Sequence, residues 1–375
     1  MVALVALFAP AVRKTVYAPK GPGDFQWHGE SAERLLHTGR IETAHPAYPV
    51  LLAGLGLVLE RAPGISWSWT GAAIALAIVF QCLAGIVLTR AARERLESRS
   101  ATVGFVVAAL LAIALLLATP ITLLSMPRHN LYLGYIGINV YHNPTMFLLK
   151  PLAAWSWLRL AELIGGPRPV GAKRRVGLAL GMAASTLAKP SYAIALLPAL
   201  TVFAAWKAAY GRRDLLAPLA FTVVLPAVLL LGLQFAFFYG IEGSRLQWAP
   251  LLVMGGHPLE RAVRLALSVA FPAVVASVYW NQARRSEPLV LAWLVFGVGA
   301  ALSYFVAEEG RRAYHGNLLW SGQAALFILF VASALFLLEQ RRGRPALDAR
   351  AAVAFAVFAV HVACGAVFLV HPLWW

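Results

Sequence analysis

Cysteine is almost absent. The 375 residues hold two, Cys82 and Cys364, both inside apolar runs, so neither a disulfide framework nor a cysteine-ligated metal has support and both read as packing residues. Acidic residues are also scarce, sixteen against thirty-two lysines and arginines. A net charge of +16 would mark a soluble chain for nucleic acid. Here the basic residues fall in short clusters between apolar runs, so the excess is a topological signal and no nucleic-acid partner is implied. No internal repeat recurs at a fixed period, which disfavours the repeat-built transporters.

What the chain has is hydrophobic length. With 60% hydrophobic and 13% charged residues, it contains repeated apolar runs of about twenty residues, the length that crosses a bilayer. Only helices satisfy their own backbone in lipid, and these runs are too long and continuous for barrel strands. The expected fold is all-α, a single polytopic integral membrane domain. The opening run MVALVALFAPAV, closed by Arg13 and Lys14, reads as a first membrane helix that either starts before this sequence or sits obliquely; a cleaved signal peptide is the alternative. Further spans are expected at 70–89, 101–124, 144–160, 176–188, 190–206, 215–239, 262–280, 289–306, 321–338 and 351–370, about eleven in all.

Five basic clusters orient them: Arg90 to Arg99, Arg168 to Arg175, Lys207 to Arg213, Arg284 with Arg285, and Arg341 to Arg350. Placing all five in the cytoplasm requires residues 20–69 to form one outer loop of a multi-pass protein of the cytoplasmic (inner) membrane, with its working face extracytoplasmic. The apolar segment 46–60 must then lie in the outer interface, with Pro46 and Pro49 in its first turn, rather than cross.

That loop opens with the longest polar stretch, Lys20 to Pro49, which carries Asp24, Glu30, Glu33 and Glu42 with His28, His37 and His45. Ser31, with charged residues behind it and Gly39 as a stop, predicts a short amphipathic helix over 31–38. Asp24 and His28 are four apart, a spacing that suits a carboxylate base with a neighbouring imidazole or a divalent-cation site; the plainer reading is a loop aspartate capping the helix that follows. His142 and Asn143, with Asn139 nearby, precede Pro144, where they could hydrogen-bond a sugar, complete a metal site, or cap a helix starting at the proline. Lys189 interrupts a continuous apolar stretch. Left uncompensated it would cost several kcal/mol, so it either faces a partner or anionic ligand or snorkels from the tip of a hairpin. Glu308, Glu309, Arg311, Arg312, His315 and Asn317 form a dense polar group that would suit a phosphate, or else a solvated ion-pair cluster. Arg128 and His129 are a second phosphate candidate, and Trp248, Trp320, Trp374 and Trp375 fit an aromatic belt.

An aspartate shortly after the first span, a following amphipathic helix, the His45-Pro46-Ala47-Tyr48 element leading a second interfacial helix, and a span closed by basic residues together resemble the GT-C superfamily of membrane glycosyltransferases, nearest the dolichyl-phosphate-mannose and aminoarabinose transferase type. The stretch GMAASTLAKPSYAIALLP, Gly181 to Pro198, looks like the hairpin in which such proteins carry a lysine at the outer tip. The resemblance covers about residues 1–210, with 211–375 a variable set of spans. It implies a cell-envelope transferase that takes a sugar from a polyprenyl-phosphate-linked donor and passes it, with inversion, to a lipid, glycan or protein acceptor. Asp24 would then be the base, and Lys189 with Arg311 or Arg312 would hold the phosphate. The family's loop signature pairs two acidic residues, whereas Phe25 follows Asp24 here, and His142 and Asn143 occupy the place of the second acidic site. No cofactor is therefore assigned beyond an open question of a divalent cation. Asp24 acts with His28 and His142 instead, or the scaffold persists without activity. Competing readings are a lipid or polysaccharide transporter or flippase, for which Lys189 and Lys150 would be the intramembrane charges, a lipid-linked oligosaccharide polymerase or ligase, and an inactive structural protein.

Overall fold

The computed structural model describes every residue except 17–22, 42, 62–68, 97–99, 129, 167–169, 240–244, 344–347 and 371–375, and describes Arg128, Phe238, Tyr239 and Arg311 by their backbone alone. Among the described residues the regular structure is helical apart from one two-stranded ribbon. In order come α1 (Val2–Val16), α2 (Asp24–Thr38), α3 (Ala47–Glu60), α4 (Trp69–Arg93), α5 (Ala101–Leu117), α6 (Pro144–Gly165), α7 (Ala172–Ala188), α8 (Ser191–Ala209) and α9 (Arg213–Phe237). Strand β1 (Leu246–Trp248) precedes α10 (Pro258–Val278) and α11 (Glu287–Phe305); β2 (Val306–Glu308), α12 (Leu319–Arg341) and α13 (Ala349–Val370) complete the chain.

Seven of these helices, α4 and α8 to α13, are long and apolar enough to cross a membrane. The expected count of eleven is therefore not reached among the described residues. Helices α1, α5 and α7 are 15, 17 and 17 residues long, and α6 carries Lys150, Arg159 and Glu162 along its length. The expected span 101–124 stops at Leu117 because Pro120 lacks an N–H and pushes Thr119 out of the helical region. The chain then continues as irregular but buried backbone, and it finds partners: Thr119 N–H donates to His361 O of α13 at 3.1 Å, and Ile121 N–H to Leu267 O of α10 at 3.1 Å. Irregular backbone at membrane depth is tolerable on those terms.

The amphipathic helix begins a full two turns before the expected Ser31. Gly23 takes a left-handed φ of 53°, and Asp24 sits in the first turn of α2, where a carboxylate complements the positive helix end. Gly39 ends it as foreseen, with φ 68° and its N–H on Leu35 O. Residues 47–60 are helical, and 14 residues are too few to cross about 30 Å of hydrocarbon.

Helix α12 is the hub. Ser321 to Leu338 are all buried, and the helix packs against α4, α6, α8, α10 and α11. It meets α11 most closely at a pair of glycines: a Cβ on Gly299 would lie 2.8 Å from Ser321 O, and one on Gly322 3.1 Å from Gly299 O. Small residues let the two backbones approach in this way. The loops before α10 and after α11 are tied by antiparallel pairing of Gln247 with Ala307, and Trp248 stacks on Phe305 at 5.1 Å.

One charge lies deep in this packing. Lys150 on α6 is buried, with Nζ donating to Asn139 Oδ1 at 2.6 Å and standing 6.0, 5.7 and 5.9 Å from the ring centroids of Tyr141, Phe147 and Phe327. Asn139 Nδ2 in turn donates to the end carbonyls of α5, Leu115 O at 2.9 Å and Ala118 O at 2.7 Å. Asn139→Leu strands the ammonium and uncaps both carbonyls, at a cost of about 3 kcal/mol. The apparent melting temperature in detergent is expected to fall by several degrees, and adding Lys150→Met should restore most of it. A wild-type melting curve for Asn139→Leu alone would show that this contact carries no stability.

Candidate functional site

Four segments distant in sequence meet at one end of the bundle: the start of α2, the N-cap of α6, the α7–α8 junction and the first turn of α12. Asn143 is the N-cap of α6, and its Oδ1 accepts from Met146 N–H at 3.1 Å and from Thr145 Oγ1 at 2.6 Å. With that oxygen occupied, the amide presents Nδ2, which donates to Asp24 Oδ2 at 2.5 Å. The capping and binding readings of Asn143 thus coincide in one side chain. No hydrogen bond to the other carboxylate oxygen of Asp24 exists among the described residues.

Lys189 approaches the same amide from another side. It precedes Pro190, which forces it into extended backbone (φ −164°) and ends α7 there. Its Nζ donates to Thr145 Oγ1 at 2.9 Å and to Asn143 Oδ1 at 3.5 Å, and lies 4.6 Å from the ring centroid of Trp320 on α12. Lys189 is 4% exposed. It does not snorkel; it is held by a hydroxyl, an amide and an indole face. Burial pulls its pKa down to about 8, and the nearby Asp24 carboxylate pulls the other way. The group therefore remains mostly cationic at pH 7.

Three imidazoles surround this core. His142 lies edge-on to Tyr132 and against Trp320, both with ring centroids 5.6 Å away. Burial lowers its pKa to about 4, Asp24 opposing and Lys189 adding to the shift. Tyr132 accepts from Gln323 Nε2 at 2.7 Å, which ties the 118–143 segment to α12. His28 is 2% exposed and packs against His45 and Tyr48 with centroids 5.4 and 5.5 Å away. Burial, then Lys189, takes its pKa to about 3. Although it is one turn beyond Asp24, no hydrogen bond joins the two among the described residues. Its Nδ1 and that of His45 have no partner. Among the described residues no three His, Cys, Asp or Glu side chains converge as a metal cage.

Among the described residues no hydrogen bond or ion pair joins Glu308 to Asp24, Asn143 or Lys189. Glu308 on β2 accepts from Asn317 Nδ2 at 2.5 Å, and its backbone carbonyl accepts from Gln247 Nε2 at 3.1 Å. Arg312 lines the same small crevice and His315 is exposed. This arrangement locks the loop between β2 and α12. The side chains of Arg311 and Arg128, and all of His129, Trp374 and Trp375, lie outside the described residues.

Sequence reasoning missed Thr145, Trp320, Tyr132 and His45 as members of the site. It also missed Arg261 and Arg264, buried in the first turns of α10. Arg264 donates to Leu133 O and Glu260 and lies over the Tyr135 ring at 5.2 Å. Gly134 is favoured at this point because its φ of 82° lies in the left-handed region, and the Arg261 guanidinium packs against its open side. The available signal was two arginines three apart in an otherwise apolar helix, which must find partners if buried. The chain matches no protein-family model and no curated protein.

The buried imidazoles make stability pH-dependent. His28 and His142 have folded pKa values of about 3 and about 4, below the ordinary 6.5. Between those values the unfolded chain binds more protons, so their contribution is complete above pH 6.5 and is lost as pH falls towards 3. The melting temperature is expected to drop on acidification from pH 7 to 4, and His28→Leu should flatten that drop. An unchanged pH profile in the variant would remove His28 from the linkage.

Proposed function

We propose that the protein is a membrane glycosyltransferase of GT-C type. It moves a sugar from a polyprenyl-phosphate-linked donor to an acceptor hydroxyl on the extracytoplasmic face, with inversion and with Asp24 as general base. The observation that carries this reading is that Asp24 and Lys189 converge on the side-chain amide of Asn143. These are a carboxylate, its positioning residue and a buried cation, brought together from α2, α6 and the α7–α8 junction. Displacement of a phosphate by a hydroxyl needs a base on one side and positive charge on the other.

In the proposed reaction the acceptor O–H gives its proton to the Asp24 oxygen that Asn143 does not engage. The acceptor oxygen bonds to the anomeric carbon, and the bond from that carbon to the phosphate oxygen breaks with its electron pair leaving on the phosphate. Lys189 stabilises the polyprenyl phosphate that departs, with Thr145 and Trp320 holding the ammonium in place. The neutral His28 and His142 keep the surroundings of Asp24 and Lys189 free of competing charge. A cavity of about 270 Å³ runs along α2, walled by Phe25, Gly29, Glu33 and Trp69. One carboxylate held by an amide, among buried imidazoles, does not make the oxygen-rich cage a hard divalent cation prefers, so no step is routed through a metal.

The positive-inside rule places the arginine-rich end in the cytoplasm and the Asp24 end outside, with α2 and α3 lying along the outer interface. The test is sugar transfer from radiolabelled polyprenyl-phosphate sugars by protein in lipid nanodiscs. Asp24→Asn is expected to lower transfer by about 100-fold or more without changing the melting temperature, as loss of a general base does. Lys189→Met should also lower it, and Arg312→Ala should not. Undiminished transfer in Asp24→Asn would end the base assignment; if no donor is turned over by the wild type, transport of a lipid-linked glycan becomes the leading reading.

A further inference from the structure

A cavity of about 690 Å³ lies at the end of the bundle opposite Asp24. Helices α6 and α12 both start at the Asp24 site and finish at this cleft, and each is about 33 Å long, a bilayer's hydrocarbon thickness. The cleft lies between the last turns of these two helices and the start of α11. Three arginines (Arg95, Arg212, Arg285) and three glutamates (Glu162, Glu287, Glu339) line it. The lining is thus charge-balanced, in a chain whose net charge is +16.

Most of these charges already have partners. Arg95 Nε meets Glu339 Oε1 at 2.7 Å, and Glu162 is held at 2.9 Å by both of its oxygens on Arg159. Glu287 Oε1 is engaged by Lys207 and lies 3.7 Å from Arg212. Two groups of opposite sign are left over. Glu287 Oε2 is buried with no hydrogen-bond partner, and Arg285, exposed at the rim, makes no ion pair with any described residue. A buried carboxylate oxygen left unpaired is costly, so a donor from outside the chain would be favoured there. A guanidinium fork matches phosphate oxygens. Trp157, Leu158 and Phe336 add an apolar part to the wall.

We propose that this cleft binds a phosphate–ammonium zwitterion of the phosphoethanolamine type, its phosphate on Arg285 and its N–H donors on Glu287. The apolar wall at the membrane boundary suits the acyl chains of a phospholipid carrying that headgroup. The free headgroup has the same chemistry and is the other source. The site is independent of the sugar-transfer reading, because it shares no residue with the Asp24 end.

The experiment is native mass spectrometry of the full-length protein in non-ionic detergent. It is titrated separately with phosphatidylethanolamine, with phosphatidylglycerol, which lacks the ammonium, and with phosphatidylcholine, whose ammonium has no N–H. Wild type is expected to retain phosphatidylethanolamine at least fivefold better than either of the others. Arg285→Ala, at an exposed position, should bring retention down to the phosphatidylglycerol level. Arg284→Ala, which does not line the cleft, should leave it unchanged, with melting temperatures confirming that both variants fold. Displacement of the lipid by free O-phosphoethanolamine would assign recognition to the headgroup alone; resistance to displacement would add the acyl chains to the site. Retention of phosphatidylethanolamine no better than either other lipid, or unchanged in Arg285→Ala, overturns the proposal.

Discussion

A single amide mediates between a carboxylate and a buried ammonium, and the geometry of the whole Asp24 end follows from it. Asn143 keeps Asp24 and Lys189 from collapsing into a direct ion pair: Nδ2 donates to the carboxylate while Oδ1 accepts from the lysine, from Thr145 and from the N–H of Met146. Turning that amide over would set a donor against a donor at Lys189 and an acceptor against an acceptor at Asp24. The helix cap therefore selects the orientation. Because Asn143 is bound to the first turn of α6, the position of the polar site is set by the position of a helix.

Low dielectric raises the stakes of every such contact. Lys150 and Lys189 both sit where water is excluded, and each is given an amide oxygen and aromatic ring faces. The irregular chain from 118 to 143 supplies both amides, Asn139 and Asn143. Its N–H groups at Thr119 and Ile121 are met by carbonyls of α13 and α10, which helps non-helical backbone run inside the bundle. Arg264 holds it from the side through Leu133 O, with Arg261 packed against the turn at Gly134. Helices α6 and α12 then act as two rods of membrane length, with the carboxylate–lysine site at one end and the charge-balanced cleft at the other.

The parts of the site that were legible in the sequence were those where charge breaks an apolar context. Lys189 was visible because an ammonium in a long apolar run must be compensated, and Asp24 because it opens the longest polar stretch. Asn143 was visible because it precedes a proline that starts a helix. Thr145 and Trp320 were not legible: a threonine beside a proline and a tryptophan near a helix end are ordinary, and only their contact with Nζ makes them part of the site. His28 was paired in the sequence reading with Asp24 by spacing alone. Helical spacing sets which face a residue occupies and not its neighbour across that face, which proved to be His45 and Tyr48. In the Glu308 group, residues close in the chain satisfy one another locally, as Glu308 and Asn317 do.

By itself the sequence determined the material and the punctuation: an apolar, helix-built chain with arginines gathered in a few loops, a stop at Gly39, a break at Lys189 and Pro190, and a few charges too costly to leave unpartnered. These follow from local rules, because hydrocarbon excludes unpaired backbone and proline and glycine act on their own residue and its neighbour. Tertiary structure decided how many runs are long enough to span, where α2 begins, and which distant polar groups share a partner. Those outcomes depend on contacts between segments more than a hundred residues apart, such as Asp24 with Asn143. No local pattern encodes the direction in which two helices bring such groups together.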